Sequence, residues 1–291
     1  GRWTMMNIRE ILVPVDFSGA SAAATRQAAA LARHFHSELL LLHVQSPLRY
    51  VAGGLEGVYM GPVPEELAEQ ERNQLDGFLG PELGDLRVRR IMAEGDAAQR
   101  IVSVAQTEGV GLIAMATRGY GPFRRFILGS VTAKVLHDAQ CPVWTGAHLS
   151  EVPVGDGLKI ASVLCAVDLS AHSRQTLCWA AQMAAEFGAH LTVLHAVPPL
   201  ELAGPGARYY NPEWADAMRA QGLDGIAKLQ QDLGTKADAW VESGEAPYVA
   251  RLAAERAHAD VLVIGRSPSG GRLRTNAYAI IRESPCPVLS V

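Results

Sequence analysis

A chain of 291 residues, 48% of them hydrophobic, is long enough for about two ordinary packed domains. Lys plus Arg number 26 against 30 Asp plus Glu, a net charge of −4, so no basic excess argues for nucleic-acid binding; no apolar run reaches the ~20 residues of a membrane helix, and residues 1–6 do not resemble a secretory signal. The four cysteines (Cys141, Cys165, Cys178, Cys286) contain no Cys-x-x-Cys pair, which fits buried thiols in a reducing cytoplasm and neither a disulfide frame nor a zinc site.

Residues 11–16 (ILVPVD) form an apolar run closed by an acid and Phe17-Ser18-Gly19, the pattern of a buried parallel strand ending in a loop. Ser18 or Ser21 is placed to cap an Ala-rich helix over 22–35, whose Ala28, Leu31, Ala32 and Phe35 share one face. Residues 38–44 read as a second buried strand. Residues 45–64, rich in Gly, Pro and Tyr, read as a loop long enough to be functional or disordered. A charged surface helix over 65–79 and a third strand over 87–93 follow. Gly95-Asp96-Ala97 then opens a helix over 98–106 with Ile101, Val104 and Ala105 inward.

Residues 112–116 have the length of a fourth buried strand, and Gly119, Gly121 and Pro122 break it. Gly129-Ser130 opens a segment with Val131, Val135 and Leu136 at helical spacing, and Ser130 suits the N-cap. A strand, a glycine-bearing loop and a capped helix start together make a potential anion cradle, because free backbone N–H groups and the positive helix end point at the loop. Arg118, Arg124 and Arg125 add positive charge beside it. The plain alternative is that the glycines only permit a tight turn, as in most such units. Residues 141–145 complete this half as a fifth strand, with Pro142 at its start or on an edge.

After a linker over 147–158 the pattern begins again. Asp168 and His195 stand 152 positions after Asp16 and His43, in matching apolar runs. Gly244 follows Gly95 by 149 and Cys286-Pro-Val follows Cys141-Pro-Val by 145, so the second copy has lost residues. A repeat of this period is a duplicated domain, since solenoid units run at about 20–50 residues. Five strands alternating with helices make each copy a doubly wound α/β unit with a parallel sheet, the expected copies being 7–147 and 158–291. In such sheets ligands sit at the carboxyl ends of the strands, where strand order reverses.

Gly119, nine residues, then Gly129-Ser130 resembles the nucleotide signature of the universal stress protein family, with Ala116 where that signature has its first glycine. The likeness spans nearly the whole chain, as a tandem of two copies. It implies a flavodoxin-like (adenine nucleotide alpha hydrolase-like) strand order, with Asp16 and the fourth-strand loop flanking one crevice. It also implies ATP or a related adenine nucleotide, its adenine held around Pro14, Val15, Asp16, Val44 and Met115. Ribose and phosphates would lie on Ala116, Thr117, Arg118 and Gly119 and on Gly129, Ser130 and Val131, with Mg²⁺ as a metal that could help neutralise the phosphates. Ala116 is harmless if it continues the strand and costly if its backbone needs positive φ. The counterpart in the second copy is degenerate: Asp168 and Gly265 remain, Pro268 replaces the second glycine and removes an N–H, and Arg274-Thr275 fall on the Gly129-Ser130 position. That site is expected to be weak or empty and the copy structural, pairing with the first as an internal pseudo-dimer; a homodimer is also open.

Other residues point less sharply. His43 and His195 read as satisfied strand-end histidines. Tyr209, Tyr210 and Trp214 fall in the second long loop, where they line a pocket or simply pack. No Gly-x-Ser-x-Gly, His-Glu-x-x-His or Walker loop is present, so no residue is assigned a catalytic or metal role. A cytoplasmic nucleotide-responsive stress regulator is the leading expectation. A nucleotide-free interaction protein and a slow ATP hydrolase are the alternatives.

Overall fold

The computed structural model describes residues 6–45, 65–117, 128–146, 158–198, 212–266 and 271–291. Arg118, Gly119, Arg124, Arg125, Tyr209, Tyr210 and Pro268, with both long loops and the linker, lie outside the described residues. The chain divides into two units, Asn7–Leu158 and one built on Lys159–Val291.

Continuous apolar runs become strands buried on both faces, as parallel sheets require. The first unit runs β1 (Glu10–Pro14), α1 (Gly19–Phe35), β2 (Glu38–Gln45), α2 (Glu65–Gly77), β3 (Val88–Glu94), α3 (Ala97–Glu108), β4 (Leu112–Met115), α4 (Ser130–Asp138) and β5 (Val143–Thr145). All its strands are parallel, in the order β3-β2-β1-β4-β5. Ile11–Val13, Leu39–Leu42 and Ile113 are fully buried, each worth about 1.5–3 kcal/mol relative to exposure. Helix α1 is Ala-rich where it lies on the sheet, so helix and strands approach closely. Trp144 of β5 is buried and its Nε1 donates to the buried Gln27 Oε1 of α1 at 3.0 Å.

The second unit repeats this as β6 (Ser162–Val167), α5 (Ser173–Phe187), β7 (His190–Val197), α6 (Pro212–Leu233), β8 (Asp238–Ser243), α7 (Ala246–Arg256), β9 (Val261–Ile264), α8 (Gly271–Glu283) and β10 (Val288–Ser290). Its order, β8-β7-β6-β9-β10, is the same pattern, again parallel. Trp214 lies inside α6 and not in the loop expected from sequence. Gly95 and Gly244 close β3 and β8 at φ 129° and 147°, a region that favours glycine, and each donates its N–H to the neighbouring strand.

The doubly wound class and the five parallel strands per copy are as expected. The flavodoxin-like label needs one refinement. That order proper, 2-1-3-4-5, would insert the third strand between the first and fourth. Here the order is 3-2-1-4-5, so β1 pairs directly with β4, Ile11 opposite Leu112. The point where strand order reverses therefore lies between β1 and β4 in the first copy and between β6 and β9 in the second.

Candidate functional site

At the carboxyl end of β1 the chain turns through Val15 and Asp16 into α1. Asp16 Oδ1 accepts hydrogen bonds from Ser18 N–H at 3.0 Å and from Ser18 Oγ at 2.5 Å. Ser18 in turn caps α1, its Oγ accepting from Ser21 N–H at 3.1 Å. Of the two serines weighed from sequence, Ser18 is the cap. Asp16 thus has the local role of a loop-bonding aspartate while remaining partly exposed at the strand end. Pro14 closes the strand beside it. Val15 is buried; its N–H donates to Leu42 O and its carbonyl accepts from His43 Nδ1. Val44 stands on the adjacent strand, half-buried and paired with Ala93.

Across the reversal point, Met115 ends β4, buried, and Ala116 follows it. Ala116 has no positive φ, so its methyl group meets no backbone strain. Its carbonyl accepts from Thr132 Oγ1 of α4 at 3.0 Å, and the buried Thr117 carbonyl accepts from Gly129 N–H at 2.8 Å. These two bonds pin both ends of the segment that joins β4 to α4. Thr132 was not singled out from sequence; a hydroxyl residue in the first turn after Gly-Ser is the signal that could have found it.

The structure corrects the cap of α4. Gly129, at φ −62° and ψ 144°, is the N-cap and offers no side chain; Ser130 is the first helical residue and exposed. The amides of Ser130, Val131 and Thr132 donate to no described residue. By contrast α1 and α3 are closed by Ser18 and by Asp96, whose Oδ1 accepts from Gln99 N–H at 3.0 Å. Val131 is exposed at the same end, at 36%. An uncapped helix start beside the strand ends offers N–H donors and the positive end of the helix dipole to an anion.

In the second copy Asp168 Oδ1 accepts from Ser170 N–H and Ser173 Oγ, both at 2.9 Å. Partial desolvation by its neighbours alone would raise its carboxyl, although the residue is exposed, but the hydrogen bonds from Ser170 and Ser173 outweigh this and hold it below the usual carboxylate range. Gly265 follows β9 as Ala116 follows β4. A Cβ at Gly265 would lie 2.7 Å from Thr176 Oγ1 of α5. Packing explains this glycine without any ligand. The α1 position matching Thr176 is Ala24, and where the helix carries alanine the strand end carries Ala116. Thr275, expected at a helix start, lies instead within α8, which begins at Gly271. Arg266 N–H donates to Val291 O and Val291 N–H to Ile264 O, extending the β9–β10 ladder.

A model of the family described as "Universal stress protein family" matches residues 7–145 and 159–291. The chain is 32% identical over 144 residues to universal stress protein YxiE of Bacillus subtilis, covering 46% of this chain and 95% of that one. It is 27% identical over 285 residues to a universal stress protein of Mycolicibacterium smegmatis, covering 90% and 88%. The crystal structure of a universal stress protein from Archaeoglobus fulgidus superposes with a TM-score of 0.69 at 21% identity, covering 98% of this chain and 97% of that one.

Proposed function

Because the chain belongs to the universal stress protein family, as two tandem copies, we propose that its first copy binds ATP or a related adenine nucleotide where β1 and β4 end. The proposed domains are 7–147 and 158–291. One observation carries the reading: Gly129 caps α4 without a side chain, so the amides of Ser130, Val131 and Thr132 stay open at a helix start that Thr132 Oγ1 and Gly129 N–H tie to Ala116 and Thr117, just past β4. Phosphates fit these donors, with ribose and base running past Ala116 and Thr117 to Pro14, Val15, Asp16, Val44 and Met115. Mg²⁺ would ride mainly on the phosphates, as it commonly does with few protein ligands. Arg118 and Gly119 are assigned to the phosphate loop from the sequence signature alone.

The second copy is proposed to bind nucleotide weakly or not at all, since its matching helix opens about a turn earlier and its glycine is taken up by Thr176. Its role is then structural, and the protein acts as a nucleotide-responsive regulator in stress. Calorimetry with ATP on the wild type and on Gly119→Asp tests the site; equal affinities reject it. One observation favours a nucleotide-free interaction protein instead: Val15 has both main-chain groups engaged inside the protein. Purified protein with no adenine absorbance and no thermal shift with ATP would support that second reading.

A further inference from the structure

In each copy a histidine near the end of the second strand donates from Nδ1 to the carbonyl that closes the first: His43 to Val15 at 2.7 Å and His195 to Val167 at 2.9 Å. The bond ties down the peptide that leads into Asp16 or Asp168. What stands behind the imidazole differs between the copies. Behind His195 lies helix backbone. A Cβ on Gly222 of α6 would come within 3.2 Å of His195 Cδ2 and 2.9 Å of Val241 Cγ1, and one on Gly225 within 2.7 Å of Leu169 Cδ1. Helix α6 therefore rests through Gly222 on β7 and β8 and through Gly225 on the turn after β6, in direct contact.

Behind His43 lies a polar bridge. Glu71 Oε2 of α2 is 3.4 Å from His43 Nε2 and accepts from Gln45 Nε2 at 2.8 Å. Phe17, next to Asp16 and in left-handed backbone at φ 63°, lays its ring 4.4 Å from the His43 ring. Phe78, just past α2, meets Phe17 edge-on at 5.8 Å. His43 is buried and Glu71 and Gln45 are partly so, which strengthens these polar contacts relative to open water. Both routes from α2, polar and aromatic, converge on the Val15–Asp16 corner.

We infer that His43 is a positioning residue of the first copy's site: its Nδ1–H holds the Val15–Asp16 corner while Glu71 braces it from α2, so that the seating of α2 regulates nucleotide affinity. The inference rests on the nucleotide reading above. The second copy, with glycine where the first has its bridge, lacks this control. His43→Asn keeps a donor near the Nδ1 position and loses the edge that faces Glu71. Glu71→Ala removes the brace from the other side, so these two variants should behave alike.

The test is calorimetry of the full chain with ATP and with GTP, alongside unfolding temperatures without nucleotide. His43→Ala should weaken ATP binding about tenfold and narrow the preference for ATP over GTP, whereas His43→Asn and Glu71→Ala should each lose about threefold, the scale of one hydrogen bond. A purely structural role would leave the base preference untouched. Equal losses in His43→Ala and His43→Asn with preference unchanged overturn the inference, as does wild-type behaviour of Glu71→Ala. If His43→Ala does not fold, wild-type affinity and preference in the other two variants overturn it. A wild type that takes neither nucleotide rejects the nucleotide reading and this inference with it; ATP binding by wild type and unchanged variants rejects the inference alone.

Discussion

A carboxylate placed at the mouth of α4 separates helix stability from anion binding. Gly129 sits at φ −62° and ψ 144°, backbone that any residue adopts, so Gly129→Asp requires no left-handed conformation. As an N-cap, Asp accepts from the amides two or three residues on, worth a few tenths of a kcal/mol over Gly. Its charge at the positive helix end adds about 0.3–1 kcal/mol. The ligand-free protein should therefore be more stable by about 1 kcal/mol, raising its unfolding temperature by about 2–4 °C. For a phosphate on the same amides the sign reverses. The donors are occupied, and a negative charge stands about 4 Å away, costing about 4 kcal/mol at an effective dielectric constant near 20 before salt screening. ATP affinity should fall by at least about thirtyfold, roughly 2 kcal/mol. Gly129→Asn, which caps without charge, should fall between variant and wild type. Calorimetry and thermal melts on all three proteins make the measurement. A stabilised Gly129→Asp protein that binds ATP as tightly as wild type would refute the assignment of phosphates to this helix end.

Two further outcomes follow from the second copy. Gly265→Ala should destabilise by about 1–2 kcal/mol because its Cβ meets Thr176 Oγ1, and Thr176→Ala should recover most of that in the double variant; additive losses in denaturant melts would show that the two do not share the space. Asp168 has a carboxyl held below its ordinary range, so its stabilising contribution is present above that range and lost as pH falls through the depressed value. Asp168→Asn should accordingly shrink the fall in unfolding temperature between about pH 6 and about pH 3; an unchanged fall would place the acid sensitivity elsewhere.

Much of the architecture follows from patterns that act over a few residues. Runs such as Leu39–Leu42 have no polar face to give to solvent, so they become interior parallel strands, and the Ala-rich stretch between them becomes a helix that packs close. The duplication was evident from Asp16 and Asp168, and from His43 and His195, recurring at one spacing. Intrinsic preference favours Ser130 as the cap of α4, whereas Gly129, its N–H bonded to Thr117 O, holds that position in the fold. No local preference encodes that bond.

Local chemistry along the chain is thus enough for the strands, the repeat and most of the helices, though not for where α4 and α6 begin, because periodicity and backbone preference operate between near neighbours. Contacts between elements came only from folding. Gly265 answers to Thr176, Val15 to His43 and His43 to Glu71, and each pair depends on strand register and helix placement across many intervening residues. Whether a glycine serves a ligand or merely makes room for a neighbouring side chain is settled by that geometry, since the same residue type satisfies both.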